Sequence, residues 1–136
     1  MQIRITKQEW RVFVTIMHLS GNLDASNYIE VINKAQELYA SGVRDILIDL
    51  SGVSYVSSAG LMSLHTVVLI FAGQSMYSKE TGRPSFRAIN FERDGAVRQH
   101  VKLFGPQPSV EQVLDVVGLK QFFDVYHDLD AAVKSY

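Results

Sequence analysis

Apolar positions along the chain recur first at every second residue and later at every third or fourth, and this change of period marks out the elements. Ile3-Arg4-Ile5-Thr6 alternates with period two, and residues 11–19, RVFVTIMHL, are rich in β-branched and aromatic types. Ser20-Gly21-Asn22 closes that run, so two strands are predicted, joined by a turn at Lys7 to Glu9. From Tyr28 the spacing lengthens: Tyr28, Val31, Ile32, Ala35, Leu38 and Tyr39 share one helical face. Asn27 followed by Glu30 has the form of a capping box, and Gly42 suits the residue after a helix end, so a helix is predicted over about 27–41. Ile46-Leu47-Ile48-Asp49-Leu50 is nearly continuous, as in a strand buried on both faces. Strand, helix, strand in that order implies a right-handed crossover between parallel strands.

A second helix begins near Ser58 and runs to about Phe71. Leu61, Leu64, Val68 and Phe71 form the face expected to pack on the sheet; Met62 and Leu69 form a second, Val67 and Ile70 a third. A helix apolar almost all round is covered on more than one side. An insert at about 76–98 follows, carrying the polar run Ser78 to Pro84, then Phe86, Ile89 and Phe91, then a turn at Arg93-Asp94-Gly95. It is the expected second cover, with a homodimer through the same face as the alternative. His100 to Phe104 reads as a strand closed by Gly105-Pro106. Pro108-Ser109-Val110 opens a third helix, with Val110, Val113, Leu114 and Val117 on one face and Gly118 near its end. Phe122 to Tyr126 reads as a short edge strand, and Asp128 to Lys134 as a short helix with Asp128 as N-cap. The order β-β-α-β-α-(insert)-β-α-β-α predicts an α/β fold: a mixed, mostly parallel sheet packed by about four helices. Its 136 residues fit one domain, 1–136.

Composition narrows the chemistry. Lys and Arg number 13 against 14 Asp and Glu, a net charge of −1 without clusters, so no nucleic-acid or membrane-surface partner is expected. The absence of cysteine excludes disulfides, thiolate metal sites and a Cys nucleophile, and fits a cytoplasmic location. The N-terminus MQIRITKQEW lacks the apolar core of a signal peptide, and no apolar run reaches the roughly 18 residues of a membrane span.

The stretch DLSGVSYVSSAGL, residues 49–61, carries the candidate chemistry. Ser57 and Ser58 stand where a buried strand gives way to a helix. One reading is a helix cap, because the first N–H groups of a helix lack partners within it. Another is a phosphorylation site: a helix N-terminus favours added negative charge. In that reading Gly60 leaves the backbone open to a partner. A serine hydrolase is disfavoured, because the elbow G-x-S-x-G is absent: Val56 stands two before Ser58, and Tyr55 and Ala59 flank Ser57. No spacing singles out His18, His65, His100 or His127 as a base, and no metal-ligating pattern occurs, so no catalytic residue, metal or cofactor is expected.

Three segments together resemble the STAS domain, the family of anti-sigma factor antagonists. They are Gly21-Asn22-Leu23-Asp24, then Ile48-Asp49-Leu50-Ser51 through Val56-Ser57-Ser58-Ala59-Gly60-Leu61, then Ser109-Val110-Glu111-Gln112-Val113-Leu114 with Gly118-Leu119. The resemblance implies a regulator that is not an enzyme, with Ser58 as phosphoacceptor and Asp24 beside it. Ser57, a possible second acceptor, stands where the family often has Asp. Asn22, Asp24, Ser57, Ala59, Gly60, Leu61 and Met62 would form the neighbourhood that a partner touches. The implied partners are an anti-sigma factor serine kinase and a serine phosphatase. A scaffold or small-molecule-binding module that is never phosphorylated is the other function the family offers.

Overall fold

The computed structural model describes residues 1–73 and 95–136. Strand β1 (Gln2–Glu9) pairs antiparallel with β2 (Phe13–Ser20), and helix α1 (Tyr28–Ala40) crosses to β3 (Ile46–Gly52). Helix α2 (Ser58–Phe71) follows, then β4 (Val101–Phe104), α3 (Pro108–Val116), β5 (Asp124–Tyr126) and α4 (Leu129–Lys134). Short 3-10 turns at Gly95–Gln99 and Leu119–Phe122 precede β4 and β5. The sheet order is β1-β2-β3-β4-β5, parallel from β2 onward, as the element order predicts.

Alternation divides the strands between two cores. Met17, Leu19, Ile46, Ile48, Leu50, Val101 and Leu103 face α1 and α2, and all are buried. Val14, Ile16 and Leu47 point the other way, where Ala132 and Val133 of α4 cover them. Thus β3 is buried on both faces and reads as a continuous apolar run. Helix α1 stops as its sequence suggests. Gly42 takes φ +107°, its N–H reaches Tyr39 O, and the Val43 N–H reaches Leu38 O, the paired bonds of a Schellman end.

Three expectations need correction. The hairpin turn is not at Lys7 to Glu9: β1 continues through Glu9, and the connection is Trp10 to Val12. Lys7, Gln8 and Glu9 are polar because this end of an edge strand is exposed, which is how edges avoid further pairing. Only Val110 and Leu114 of the α3 face are buried, whereas Val113 and Val117 are exposed with Val116. A helix of nine residues meets the core along a single i, i+4 line. Of the segment Phe122 to Tyr126, only Asp124–Tyr126 is strand.

Helix α2 is buried at Ser63, Leu64 and every position from Thr66 to Phe71. Leu64, Val68 and Phe71 pack in the core as expected, while Leu61 is only partly buried. Cover comes in part from α1, where Tyr39 meets Phe71 edge-on at 5.4 Å, and from buried Val97 in the first 3-10 turn. Ser78 to Pro84, Phe86, Ile89, Phe91 and the Arg93-Asp94 part of the turn lie outside the described residues.

Candidate functional site

The parallel strands β2 and β3 deliver their C-terminal ends to one edge of the sheet, and two loops meet there. The Leu23 N–H bonds to Tyr55 O and the Ser57 N–H to Leu23 O, both at 2.9 Å, closing a bridge between Leu23 and Val56. Asp24 and the two serines are therefore neighbours in space, although more than thirty residues separate them in sequence.

Each loop is held by its own polar side chains. Asn27, buried, accepts from the Asp24 N–H at 3.0 Å and donates to Asn22 O at 2.7 Å. Its amide spans the first loop and makes no helix cap, so the capping box with Glu30 does not form. The two loop partners satisfy the amide where Glu30 would satisfy neither. The Asn22 side chain crosses to the second loop, accepting from the Ser54 hydroxyl at 3.1 Å. Asp24 accepts at one oxygen from both the hydroxyl and the N–H of Ser26, which hold its carboxyl below the usual aspartate range.

A second brace lies at the end of β3. Asp49 accepts from the Ser51 N–H at 2.9 Å and the Ser51 hydroxyl at 2.6 Å, and its other oxygen meets His18 Nδ1 at 2.6 Å. His18 Nε2 in turn contacts the Thr6 hydroxyl at 2.8 Å. Burial pushes the Asp49 carboxyl up, but the Ser51 bonds and His18 outweigh it and leave it below the ordinary range. This line ties β1, β2 and β3 to the linker that leads into the serines.

The two serines differ in what they touch at the start of α2. Ser57 is the N-cap of α2, in extended geometry, and its oxygen accepts from the Gly60 N–H at 3.3 Å. Ser58 is the first helical residue, its side chain exposed and its hydroxyl without a hydrogen bond among the described residues. It stands on the positive end of the helix.

Gly60 is not open to a partner. It is buried, and a Cβ there would lie 2.5 Å from Leu23 O and 2.9 Å from Leu23 Cγ and Val56 Cγ1. Its missing side chain lets the two loops close on each other. Ala59, beside it, is partly buried.

Next to Ser58 runs an open groove of about 500 Å³, between α2 and the end of α3. Leu61, Met62 and His65 line one wall; Val117, Leu119 and Phe122 line the other. Ser58, Leu61, Met62 and His65 follow one another at i, i+3, i+4 and i+7, so one helical face carries the serine and the groove wall. The opposite wall was not marked by the sequence, because Leu119 and Phe122 sit in a 3-10 turn whose period differs from that of a strand. Among the described residues no cluster of three potential metal ligands occurs. No helix among them is long and apolar enough to cross a membrane.

The family model described as Mlab, STAS domain matches residues 7–75. No curated protein sequence is significantly similar to the chain. Solved structures share the fold. An anti-sigma factor antagonist from Mycobacterium paratuberculosis is 19% identical, with 98% of this chain and 93% of that one covered and a TM-score of 0.63. A putative anti-sigma factor antagonist from Thermotoga maritima is 16% identical over 96% and 92% of the two chains, with a TM-score of 0.65. The phosphorylated form of SpoIIAA, a cell fate determinant of Bacillus, is 16% identical over 98% and 100%, with a TM-score of 0.54.

Proposed function

The chain belongs to the STAS domain family, and from that premise we propose that it is a partner-switching anti-sigma factor antagonist whose state is set by phosphate on Ser58. It acts as a regulator and a kinase substrate, not as an enzyme. Unmodified, it docks the Ser58 end of α2 and the adjoining groove on a serine-kinase anti-sigma factor and so frees a sigma factor. The observation that carries this reading is the placement of Ser58: exposed, without a hydrogen bond among the described residues, on a helix N-terminus and at the rim of an apolar groove.

Phosphate on Ser58 adds about −1.5 to −2 charge at that rim. The helix dipole offsets part of this, so the fold tolerates the modified state. Docking does not, because the charge then loses water against Leu61, Met62, Val117, Leu119 and Phe122. Burying a charge without a cationic partner costs several kcal/mol, more than a modest interface supplies. A serine phosphatase resets the switch. Asn22, Asp24 and Ser57 hold the loops that present the acceptor, while Ala59, Leu61 and Met62 meet the partner.

One observation favours a second reading, a STAS scaffold module that is never phosphorylated. The residue before the acceptor is a serine whose oxygen is committed to the helix cap, so it supplies no acid to a kinase reaction. Titration calorimetry against the anti-sigma factor separates the two. Ser58→Asp should bind at least about tenfold more weakly than Ser58→Ala, or roughly 1.4 kcal/mol. Equal affinity of the two variants would favour the scaffold.

A further inference from the structure

A net charge of −1 conceals a local asymmetry at the end of the sheet opposite Ser58. The hairpin between β1 and β2 puts three large apolar side chains into water within four residues: Trp10 is 51% exposed, Val12 38% and Phe13 66%. Together they form a convex tip, and isolated exposed apolar residues need no explanation where a cluster does. Cations surround it. Lys7 and Arg44 border Phe13 around a cleft of about 420 Å³, and Arg11 is exposed between the apolar residues. On the other side the Lys134 ammonium lies 5.0 Å from the centre of the Trp10 ring. Asp130 pairs with Lys134 at 2.9 Å, and Asp45, which lines the same cleft as Lys7 and Arg44, meets His100 Nδ1 at 2.7 Å. Lys7 and Arg11 have no carboxylate partner among the described residues, whereas Arg44 donates to Tyr39 O and Val43 O and stacks 3.8 Å from the centre of the Tyr39 ring, so four cations (Lys7, Arg11, Arg44, Lys134) stand against three acids (Glu9, Asp45, Asp130) around the tip.

We propose that this hairpin tip is a docking surface for an anionic lipid bilayer. Trp10, Val12 and Phe13 would enter the interfacial layer, and Lys7 and Arg11 would meet the headgroups, the division of labour of an interfacial anchor. A protruding tip suits a deformable surface, whereas a rigid protein partner would have to offer a matching cavity. The tip lies at the N-terminal ends of the parallel strands and Ser58 beyond their C-terminal ends. The seven residues of β3 separate them by roughly 20 Å, at about 3.3 Å per residue, so both surfaces can be occupied at once. The proposal is therefore independent of the Ser58 switch.

The chain holds one tryptophan, Trp10, so its fluorescence reports the tip alone. Full-length protein is mixed with vesicles of phosphatidylglycerol and phosphatidylcholine, or of phosphatidylcholine only, at low and high salt. The expected result is a blue shift and co-flotation with the anionic vesicles, weakened by salt. Arg11→Glu and Phe13→Ser, both at exposed positions, should each reduce binding about tenfold or more while circular dichroism stays unchanged. Absence of a shift and of co-flotation at low salt would overturn the proposal. So would tip variants that bind as well as the parent, or self-association abolished by Phe13→Ser without vesicle binding, which would make the tip a contact between copies.

Discussion

Replacing Gly60 by alanine tests the claim that the serine turn is built by close approach of two loops. The added Cβ would sit 2.5 Å from Leu23 O, where ordinary contact needs more than 3 Å. That oxygen cannot swing aside, because it accepts the Ser57 N–H at 2.9 Å. Relief therefore separates the loop at 22–24 from the turn at 55–58, lengthening the bridge between Leu23 and Val56. Overpacking of this kind costs about 1–3 kcal/mol, and the weakened hydrogen bond adds about 1 kcal/mol. Against this stands the helix propensity of alanine over glycine, at most about 1 kcal/mol and less in a first turn. The balance is a loss of about 2 kcal/mol, or roughly 6–8 °C in Tm for a chain of this size. Urea unfolding of parent and variant measures it. Gly42→Ala is the control: Gly42 has φ +107° and nothing within 4 Å of a built Cβ, so its cost is backbone strain of about 1–2 kcal/mol and leaves the serine turn untouched. A Gly60→Ala variant within about 0.5 kcal/mol of the parent, or more stable, would refute the reasoning.

Ser57→Ala should cost about 1 kcal/mol in stability through loss of the α2 cap, measured by urea unfolding, while leaving Ser58 phosphorylation intact by mass mapping. Both Asp24 and Asp49 have folded carboxyls below the usual range, so their stabilisation is present above the unfolded aspartate pKa of about 4 and is lost as pH falls through the lower folded values. Thermal melts should therefore show Tm falling below about pH 4, less steeply in Asp49→Asn than in the parent. In the groove, Met62→Lys should weaken partner binding about tenfold or more by calorimetry, because it sets a charge against the apolar wall, with Tm within a few degrees since Met62 is only partly buried.

How far the sequence could be read depended on whether one residue's pattern had one physical cause. The α1 face and β3 were legible because core packing alone sets their apolar spacing, and Gly42 because its φ admits few other residues. The pair Ser57-Ser58 was legible as a helix start, but only the built turn shows that Ser57 is spent on the cap while Ser58 is exposed and has no hydrogen bond among the described residues. Ambiguous signals misled. Polar Lys7 to Glu9 suits a turn or an exposed edge strand, and the second holds. Asn27 suits a cap or a loop brace, and two backbone partners brought close by the fold decide for the brace. Gly60 suits an open backbone or a tight contact, and the packing of Leu23 and Val56 against it distinguishes them. The line Thr6, His18, Asp49 had no sequence signal, because strand pairing brings its members together across three strands.

The measurement that bears most directly on the switch is phosphate mapping by mass spectrometry after incubation with the cognate serine kinase and ATP, paired with capture of that kinase before and after modification. The account predicts one phosphate, on Ser58, none in Ser58→Ala, and capture lost in proportion to its occupancy. Phosphate confined to Ser57, or a fully modified Ser58 protein that still captures the kinase as well as the unmodified one, would contradict it.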